Sequence, residues 1–530
     1  MRNLLLTLGH NSSAIMVDNG QILWGYETER ITGLKSDSRF PINHIDPKEV
    51  DAVYVTHWAP TGNVADMAVK YWDPSKIVNK PIITHTPDLT HHDTHMAGAL
   101  CYAGYGFPND DSYGLVIDGF GSYGEHISIY KINGQKSTLI KRCHGYDTSL
   151  GLWYQYATAF MGMKMHEDEY KLLGYEVLVN SSDYDKISID SEVYVNQWID
   201  DLNASVYGSK YDPLYDLEAL SNVKQKIYNH LLWVCNKYHI SDPTSKDARP
   251  ILACYVQMVL EKVVIAIVCA YRMKNVVLSG GVFYNVKLNK LILDHVLGQV
   301  CVYPLAGDQG NAIGLYAYHN PQFIFPEHLN WGVRKLHDVG EVKNLHVVDE
   351  AAGINLALDK LKSTGYVNVV RGNMEFGPRA MCNTSTLASP TRDVVDKINF
   401  ANDRNTVMPM APVMTRAKYN DMFYNTTRLH QSEEHMVCAL EYKTMPSEAL
   451  SGIAHRYNNP RLHYTGRPQV IRYNDTFMNV VLKFWGAPLI NTSFNYHGKP
   501  IAYDMKSVID NHMLQLQRDP NITTVVIKND

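Results

Sequence analysis

The sequence predicts an α/β protein with two domains, over residues 1–335 and 345–530, the first of them built from a duplicated unit. Three observations carry this expectation. A strand–polar turn–strand–hairpin–strand pattern occurs near residue 3 and again near residue 113. A strand ending in Ser279-Gly280-Gly281 runs into a helix, a standard setting for a nucleotide. Residues 321–343, which bear prolines and charges, read as a linker to a second α/β region that continues to Asp530. At 530 residues the chain is also too long for one hydrophobic core.

Residues 3–8 read as a buried strand, Gly9-His10-Asn11-Ser12-Ser13 as a polar turn and residues 14–17 as a second strand. Asp18-Asn19-Gly20 is a tight hairpin turn into a third strand, residues 21–27. The pattern returns with strand 113–117, the turn Asp118-Gly119-Phe120-Gly121-Ser122-Tyr123-Gly124, strand 125–130, the hairpin at Asn133-Gly134 and strand 137–142. Two such units are the signature of the actin/hexokinase-like superfamily, whose first turns grip phosphate from opposite sides of a cleft. Glycine suits those turns because it lets backbone N–H groups approach an anion closely. Residues 150–271 are largely helical, with helices expected over 216–238 and 248–273. Strand 276–278 leads into Gly280, Gly281 and Asn285, and Gly307-Asp308-Gln309-Gly310-Asn311 opens another helix.

Composition excludes several classes. The net charge of -5, with no basic stripe, argues against a nucleic-acid polymer as partner. The eight cysteines are scattered without a CxxC pair and read as small buried hydrophobes in a reducing compartment. The apolar start, residues 4–8, is too short for a signal peptide. The longest apolar run, residues 251–271, contains Gln257, Glu261 and Lys262, and is expected to be a core helix, not a membrane span. The expectation is a cytoplasmic protein with no membrane partner. The 35 tyrosines suit ligand clefts and subunit interfaces, and permit a homodimer without requiring one.

The sharpest cluster is His91-His92-Asp93-Thr94-His95. His91 and His95 stand four apart, so a helix carries them on one face, where both reach one metal ion. Asp118 and Asp308, each at a glycine-flanked strand end, are the candidates to complete the site. His92 fits a capping or core role. His10, in the first polar turn, is positioned to touch phosphate or to take a proton. Arg379 and Arg467 sit beside proline or glycine, and with Arg404 they offer guanidinium forks suited to phosphate. Asn491, Thr492, Ser493 and Asn495 form a polar turn at a strand end that fits either a nucleotide or a helix cap.

With these motifs in order, the chain resembles the O-carbamoyltransferases of the tobramycin and nodulation-factor type. The resemblance runs nearly end to end, through Gly9-His10-Asn11-Ser12-Ser13-Ala14, Glu27-Thr28-Glu29-Arg30, the His91 cluster, Ser279-Gly280-Gly281-Val282 with Asn285, and Gly307-Asp308-Gln309-Gly310. It continues through Met374-Glu375-Phe376-Gly377-Pro378-Arg379-Ala380, Gly466-Arg467-Pro468-Gln469-Val470 and Asn491-Thr492-Ser493-Phe494-Asn495. It implies a metal-containing N-terminal domain and a YrdC-like C-terminal domain that forms carbamoyl-adenylate from carbamoyl phosphate and ATP with Mg. The carbamoyl group then passes to an acceptor hydroxyl. By position it implies His91, His95 and Asp308 as ligands of Fe(II) or another divalent metal, with His10 and Asp118 in catalytic roles. It implies nucleotide and carbamoyl-phosphate contacts at Gly280, Gly281, Asn285, Gly307, Gly310, Asn311, Arg371, Glu375, Arg379, Arg404, Arg467, Gln469, Asn491, Thr492, Ser493 and Asn495.

The sequence departs from the family pattern at Asn373, at Cys382-Asn383-Thr384, at Asn405, at Met408-Pro409-Met410 and at Lys499, so several expected cations are missing. Tyr175 and Glu176 also depart, and are expected to shape a different acceptor pocket. The acceptor class is a hydroxyl-bearing small molecule. Bacteriophage members put a 5-hydroxymethylcytosine nucleotide among the candidates. Two other readings stay open: an actin-like-fold small-molecule kinase, and a non-catalytic scaffold that binds ATP and metal.

Overall fold

Turn chemistry and uninterrupted apolar runs set the first sheet. The computed structural model describes residues 1–39, 49–57, 79–204, 217–404, 410–456 and 464–529. Strands β1 (Arg2–Thr7), β2 (Ser13–Asp18) and β3 (Gln21–Glu27) form an antiparallel meander. Its first hairpin places Asn19 at φ 48° and Gly20 at φ 80°, the left-handed backbone that these two residue types tolerate. Strands β4 (Ala52–Thr56) and β5 (Ile82–Thr84) add in parallel, giving the order β3-β2-β1-β4-β5. Leu4, Leu5 and Leu6 are all buried, because β1 is covered on both faces and needs no polar alternation.

The second unit repeats this arrangement strand for strand. Strands β6 (Ser112–Ile117), β7 (Glu125–Asn133) and β8 (Lys136–His144) are antiparallel, and β9 (Asn275–Ser279) and β10 (Val300–Val302) join in parallel. The order is β8-β7-β6-β9-β10, so the two sheets share one topology, that of the actin/hexokinase-like fold. The helices Leu217–Lys237 and Ala248–Ala270 occupy the expected helical region, with Asp216 outside the described residues. Among the described residues, Ala248–Ala270 is the one helix long and apolar enough to cross a membrane, and most of it is buried in this core. Its Gln257 bonds Tyr154 and Asn285, as a core helix with internal polar partners would.

Helices His91–Ala103 and Asn311–His319 pack against each other beside the strand ends of both units. Their approach depends on small residues: a Cβ at Gly314 would lie 1.8 Å from the Thr94 carbonyl oxygen. That contact brings Thr94, between the two histidines, against the helix that follows Asp308.

The remaining chain builds a mixed sheet from β11 (Leu345–Val348), β12 (Tyr366–Val370), β13 (Thr384–Ala388) and β14 (Ala411–Met414) with β18 (Gln469–Val470), β19 (Leu489–Ser493) and β20 (Thr524–Ile527). Its order is β11-β20-β12-β13-β19-β14-β18. A small sheet of β15 (Leu440–Glu441), β16 (His455–Arg456) and β17 (Tyr464–Gly466) stands apart from it. The intervening chain returns to the duplicated unit and covers the open edge of β10. The Val300 N–H donates to the Arg428 carbonyl at 2.9 Å, the His430 N–H to Val300 at 2.8 Å, and the Val302 N–H to Ser432 Oγ at 2.9 Å.

The 321–343 segment is a packed strap and not a free linker. Leu329, Trp331 and Leu336 are too apolar to stay in water and are buried. Gly25 of β3 donates to the Trp331 carbonyl at 3.0 Å, and Gly332 pairs with Met374. Arg334, buried, donates to the carbonyls of Gly372, Arg371 and Asn383. All eight cysteines are free. Cys269 is exposed, contrary to the expectation for it, because it falls on the outer side of its helix near the C-terminal end.

Gly314→Ala is expected to destabilise the protein by about 1–3 kcal/mol through backbone overpacking. Gly106→Ala, whose added Cβ would meet only ordinary contact at 3.8 Å, should change little. Chemical denaturation of the two variants checks this, and equal losses would contradict the helix contact.

Candidate metal centre and anion-binding cleft

His91 and His95 occupy the first turns of their helix, buried on one face, and their Nε2 atoms lie 3.2 Å apart. Two carboxylates converge on the same point. Asp118 Oδ2 is 3.2 Å from His95 Nε2 and 3.5 Å from His91 Nε2, and Asp308 Oδ1 is 3.3 Å from His91 Nε2 and 3.5 Å from His95 Nε2. All four ligand atoms fall within 4.8 Å of one another. Ligands that each sit about 2.0–2.2 Å from one ion stand roughly 3.0–3.5 Å apart in tetrahedral or octahedral cages. The spacing therefore fits a single ion. Charge fits as well: two carboxylates and two neutral imidazoles carry a formal charge that a divalent cation neutralises, in a site where uncompensated charge is costly. Asp118 thus stands in the ligand set itself, beside the three residues expected there.

The surroundings fix each ligand. His91 Nδ1 faces the His57 carbonyl at 3.3 Å and His95 Nδ1 faces Ser279 Oγ at 3.4 Å, which directs both Nε2 lone pairs inward. Asp118 Oδ1 accepts from the Gly119 N–H at 2.8 Å and the Gly281 N–H at 3.3 Å, which leaves Oδ2 for the histidines. That second contact requires glycine at 280, with φ 98°, where a Cβ would meet the Ile117 carbonyl oxygen at 2.2 Å. In the metal-free cluster, burial works against charge throughout, yet the Asp308 and Asp118 carboxylates hold His91 well above the ordinary imidazole range. The same contacts outweigh burial at Asp118, which falls to about 2.

The intervening residues of the motif lock the helix start. Thr90 and Asp93 form a capping box. Asp93 also accepts from Tyr130 at 2.8 Å and Arg142 at 2.5 Å. Glu125, fully buried, accepts from Arg142 at 3.0 Å, Thr90 at 2.9 Å and the His92 N–H at 2.8 Å. His92 is a core residue whose Nδ1 meets Ser128 Oγ at 2.8 Å. His10 is exposed, with its ring 4.9 Å from that of His166, and its charge acts on Asp308. Nothing in the spacing of the sequence points to His166.

A second cluster is cationic. Arg379, Arg404 and Arg467 are each pushed down by burial, Arg467 further by the neighbouring Arg379. Among the described residues no carboxylate pairs with any of the three. Arg379 Nε is buried without a partner. Arg404 is held by neutral oxygens, donating to Thr492 Oγ1 at 3.1 Å, Ser493 Oγ at 3.3 Å and Asn495 Oδ1 at 2.9 Å. Half-buried guanidiniums without carboxylate partners among the described residues make a cradle suited to phosphate or carboxylate. Tyr170 of the duplicated unit feels the charges of both Arg404 and Arg379, although burial holds its phenol above the ordinary range. Tyr284 links the cradle to the metal centre: it neighbours Arg379 and accepts from the Gly307 N–H at 2.9 Å and from Gln309.

Other expected contacts have internal partners. Arg371 donates to Asp475 at 2.5 Å and to the Cys382 carbonyl at 2.9 Å. Glu375 is buried, and its Oε1 accepts the Met381, Asn383 and Thr384 N–H groups at 2.7, 2.8 and 3.0 Å, organising the chain beside Arg379. Asn285 caps the helix Val286–His295, accepting from the Leu288 N–H at 3.0 Å. Gln469 and Asn491 bond each other at 2.5 Å, and Gly310 packs against the Leu305 carbonyl. Glu176 is buried against Lys287 and so is committed inside the core instead of lining an acceptor pocket, while Tyr175 is half-buried and accepts from Arg249 at 3.1 Å. Asn405, Met408 and Pro409 lie outside the described residues. Two residues of the Glu27-Thr28-Glu29-Arg30 motif, to which the sequence assigned no role, hold the Arg379 loop: Glu27 accepts the Gly377 N–H at 3.1 Å, and Arg30 donates to the Gly377 carbonyl at 2.9 Å.

Comparison with known proteins agrees with this arrangement. The family model described as carbamoyltransferase N-terminus matches residues 62–316, and that described as carbamoyltransferase C-terminus matches residues 358–528. An uncharacterized protein of Methanocaldococcus jannaschii is 25% identical over 95% of this chain and 95% of its own. The nodulation protein NolO of Bradyrhizobium diazoefficiens is 25% identical over 79% of this chain and 75% of its own. A 3'-hydroxymethylcephem-O-carbamoyltransferase of Amycolatopsis lactamdurans is 27% identical over 44% of each chain. With both family models matched in order across most of its length, the chain belongs to the carbamoyltransferase family and is a carbamoyl-transferring enzyme.

Proposed function

We propose that the enzyme transfers a carbamoyl group from carbamoyl phosphate, activated with ATP as carbamoyl-adenylate, to the hydroxyl of a small-molecule acceptor. The observation that carries this reading is the pairing, through Tyr284, of a two-histidine, two-aspartate centre with a cradle of three guanidiniums that lack carboxylate partners. The acceptor is a hydroxymethyl compound, with a 5-hydroxymethylcytosine nucleotide the leading candidate. A relative named for a hydroxymethyl acceptor supports that choice. The working compartment is the cytoplasm.

The work divides between the two expected domains. Residues 345–530, the YrdC-like part, hold carbamoyl phosphate and ATP through Arg379, Arg404 and Arg467, whose guanidiniums suit phosphate. Residues 1–335 carry the transfer. His91, His95, Asp118 and Asp308 would hold Fe(II) or another divalent ion, which would supply Lewis acidity there. His10, which is exposed, takes the proton of the acceptor hydroxyl. Fixing donor and acceptor in one cleft supplies proximity. The sum is carbamoyl phosphate, ATP, water and the alcohol going to the carbamate ester, AMP, pyrophosphate and phosphate.

Mass spectrometry of a reaction with carbamoyl phosphate, Mg-ATP, ferrous iron and 5-hydroxymethyl-dCMP should show AMP, pyrophosphate and an acceptor heavier by one HNCO. A phosphorylated acceptor with ADP would replace this reading by a kinase, and ATP binding without turnover would replace it by a scaffold. Carbamoylation of a different hydroxymethyl acceptor alone would overturn the nucleotide assignment. Asp118→Asn is expected to lower carbamoyl transfer by about 100-fold or more while sparing substrate-dependent pyrophosphate release. Arg379→Ala should abolish pyrophosphate release yet leave bound metal, measured by elemental analysis, at the wild-type ratio.

A further inference from the structure

Beyond the four groups already described, a fifth side chain enters the same cage. Asn311 is the first residue of the helix Asn311–His319 and is fully buried. One terminal atom of its amide lies 3.2 Å from His91 Nε2 and 3.1 Å from His95 Nε2, and 3.5 Å from His91 Nδ1. Those first two separations match the spacing among the four ligands themselves. With nitrogen at that position, Asn311 Oδ1 is left buried without any partner. The oxygen and nitrogen of an amide have nearly the same shape, so hydrogen bonding must decide which occupies each position.

The chemistry of the cage decides it. When both Nε2 lone pairs face a cation, neither imidazole can accept from an amide N–H, and an N–H group aimed at the ion is repelled. Turning the amide over places Oδ1 at the same point, where its lone pairs face the ion. Local geometry supports this. Residues Asp308–Gly310 form a single 3-10 turn that leads directly into the helix, and in such a turn residues three apart stand on one side. Asp308 and Asn311 are therefore presented together, as His91 and His95 are by their spacing of four.

We propose that Asn311 is a fifth protein ligand of the metal centre, bound through its side-chain carbonyl oxygen. It would make the cage two imidazoles, two carboxylates and one amide. A neutral fifth oxygen raises the coordination number without adding charge, and favours an ion that accepts five or six ligands over one that prefers a closed tetrahedron. The proposal rests on the reading of this cluster as a metal site.

Cobalt(II) added to the metal-free protein tests it, since the d–d absorption of cobalt weakens as coordination rises from four to five. Wild-type protein should bind one equivalent with weak bands. Asn311→Ala should bind about tenfold more weakly or worse and show stronger, four-coordinate bands. Asn311→Asp, which keeps an oxygen at that point, should retain the weak bands. Thermal melting of the metal-free variants verifies that both are folded, and an unfolded alanine variant leaves the aspartate spectrum as the deciding measurement. An alanine variant with wild-type affinity and spectrum would overturn the proposal, as would weaker binding with an unchanged spectrum. A wild-type protein that binds no cobalt would instead overturn the metal reading itself.

Discussion

Two carboxylates, Asp118 and Asp308, point at one buried position, and everything around them answers the cost of that arrangement. Like charges at such separation in a low dielectric repel strongly unless cations stand between them. The imidazoles of His91 and His95 are brought to the same place, and the whole duplicated unit is arranged to keep them there. The four groups come from three rigid sources: the end of β6, the turn before the helix Asn311–His319, and, for both histidines, the first turns of the helix His91–Ala103. The close contact of Gly314 with Thr94 sets the separation of the two helices, and the close contact of Gly280 with Ile117 sets Asp118. Removing either glycine would displace a ligand without altering any ligand's identity.

The helix that carries the histidines also begins at the site, so its unpaired N–H groups must be satisfied inside the protein. Thr90, Asp93 and Glu125 perform this, and Arg142 compensates the two carboxylates in turn. This network is apart from the ligands and structural in role. It explains why the motif has an aspartate between its histidines: Asp93 caps the helix and anchors Arg142, and it does not reach the metal position.

The duplicated topology and the histidine pair were legible in the sequence because both rest on local rules, the left-handed Asn-Gly turn and the spacing of four on a helix. What was not legible depends on contacts between distant residues. Asp118 is a candidate from sequence, but which of its oxygens faces the histidines is set by the N–H groups of Gly119 and Gly281, which occupy the other. Arg371 resembles Arg379 as a guanidinium in a polar loop, yet Asp475, more than a hundred residues later, claims the first, while among the described residues no carboxylate pairs with the second. Glu176, read from sequence as an acceptor-pocket residue, is taken into the core by Lys287. The chain between β14 and β18 returns to cover β10, a docking that no local periodicity encodes.

The two charged clusters have opposite signs, and their spacing has a functional logic. If the guanidiniums stood within contact of Asp118 and Asp308, they would form ion pairs with them and neither site would be free for its ligand. Tyr284 prevents this. It neighbours Arg379 on one side and accepts from Gly307 and Gln309, flanking Asp308, on the other, so a neutral side chain separates the cations from the anions. Arg379 Nε keeps a buried donor without a partner among the described residues, and the opposite cluster gathers two carboxylates, so each suits a ligand of opposite charge.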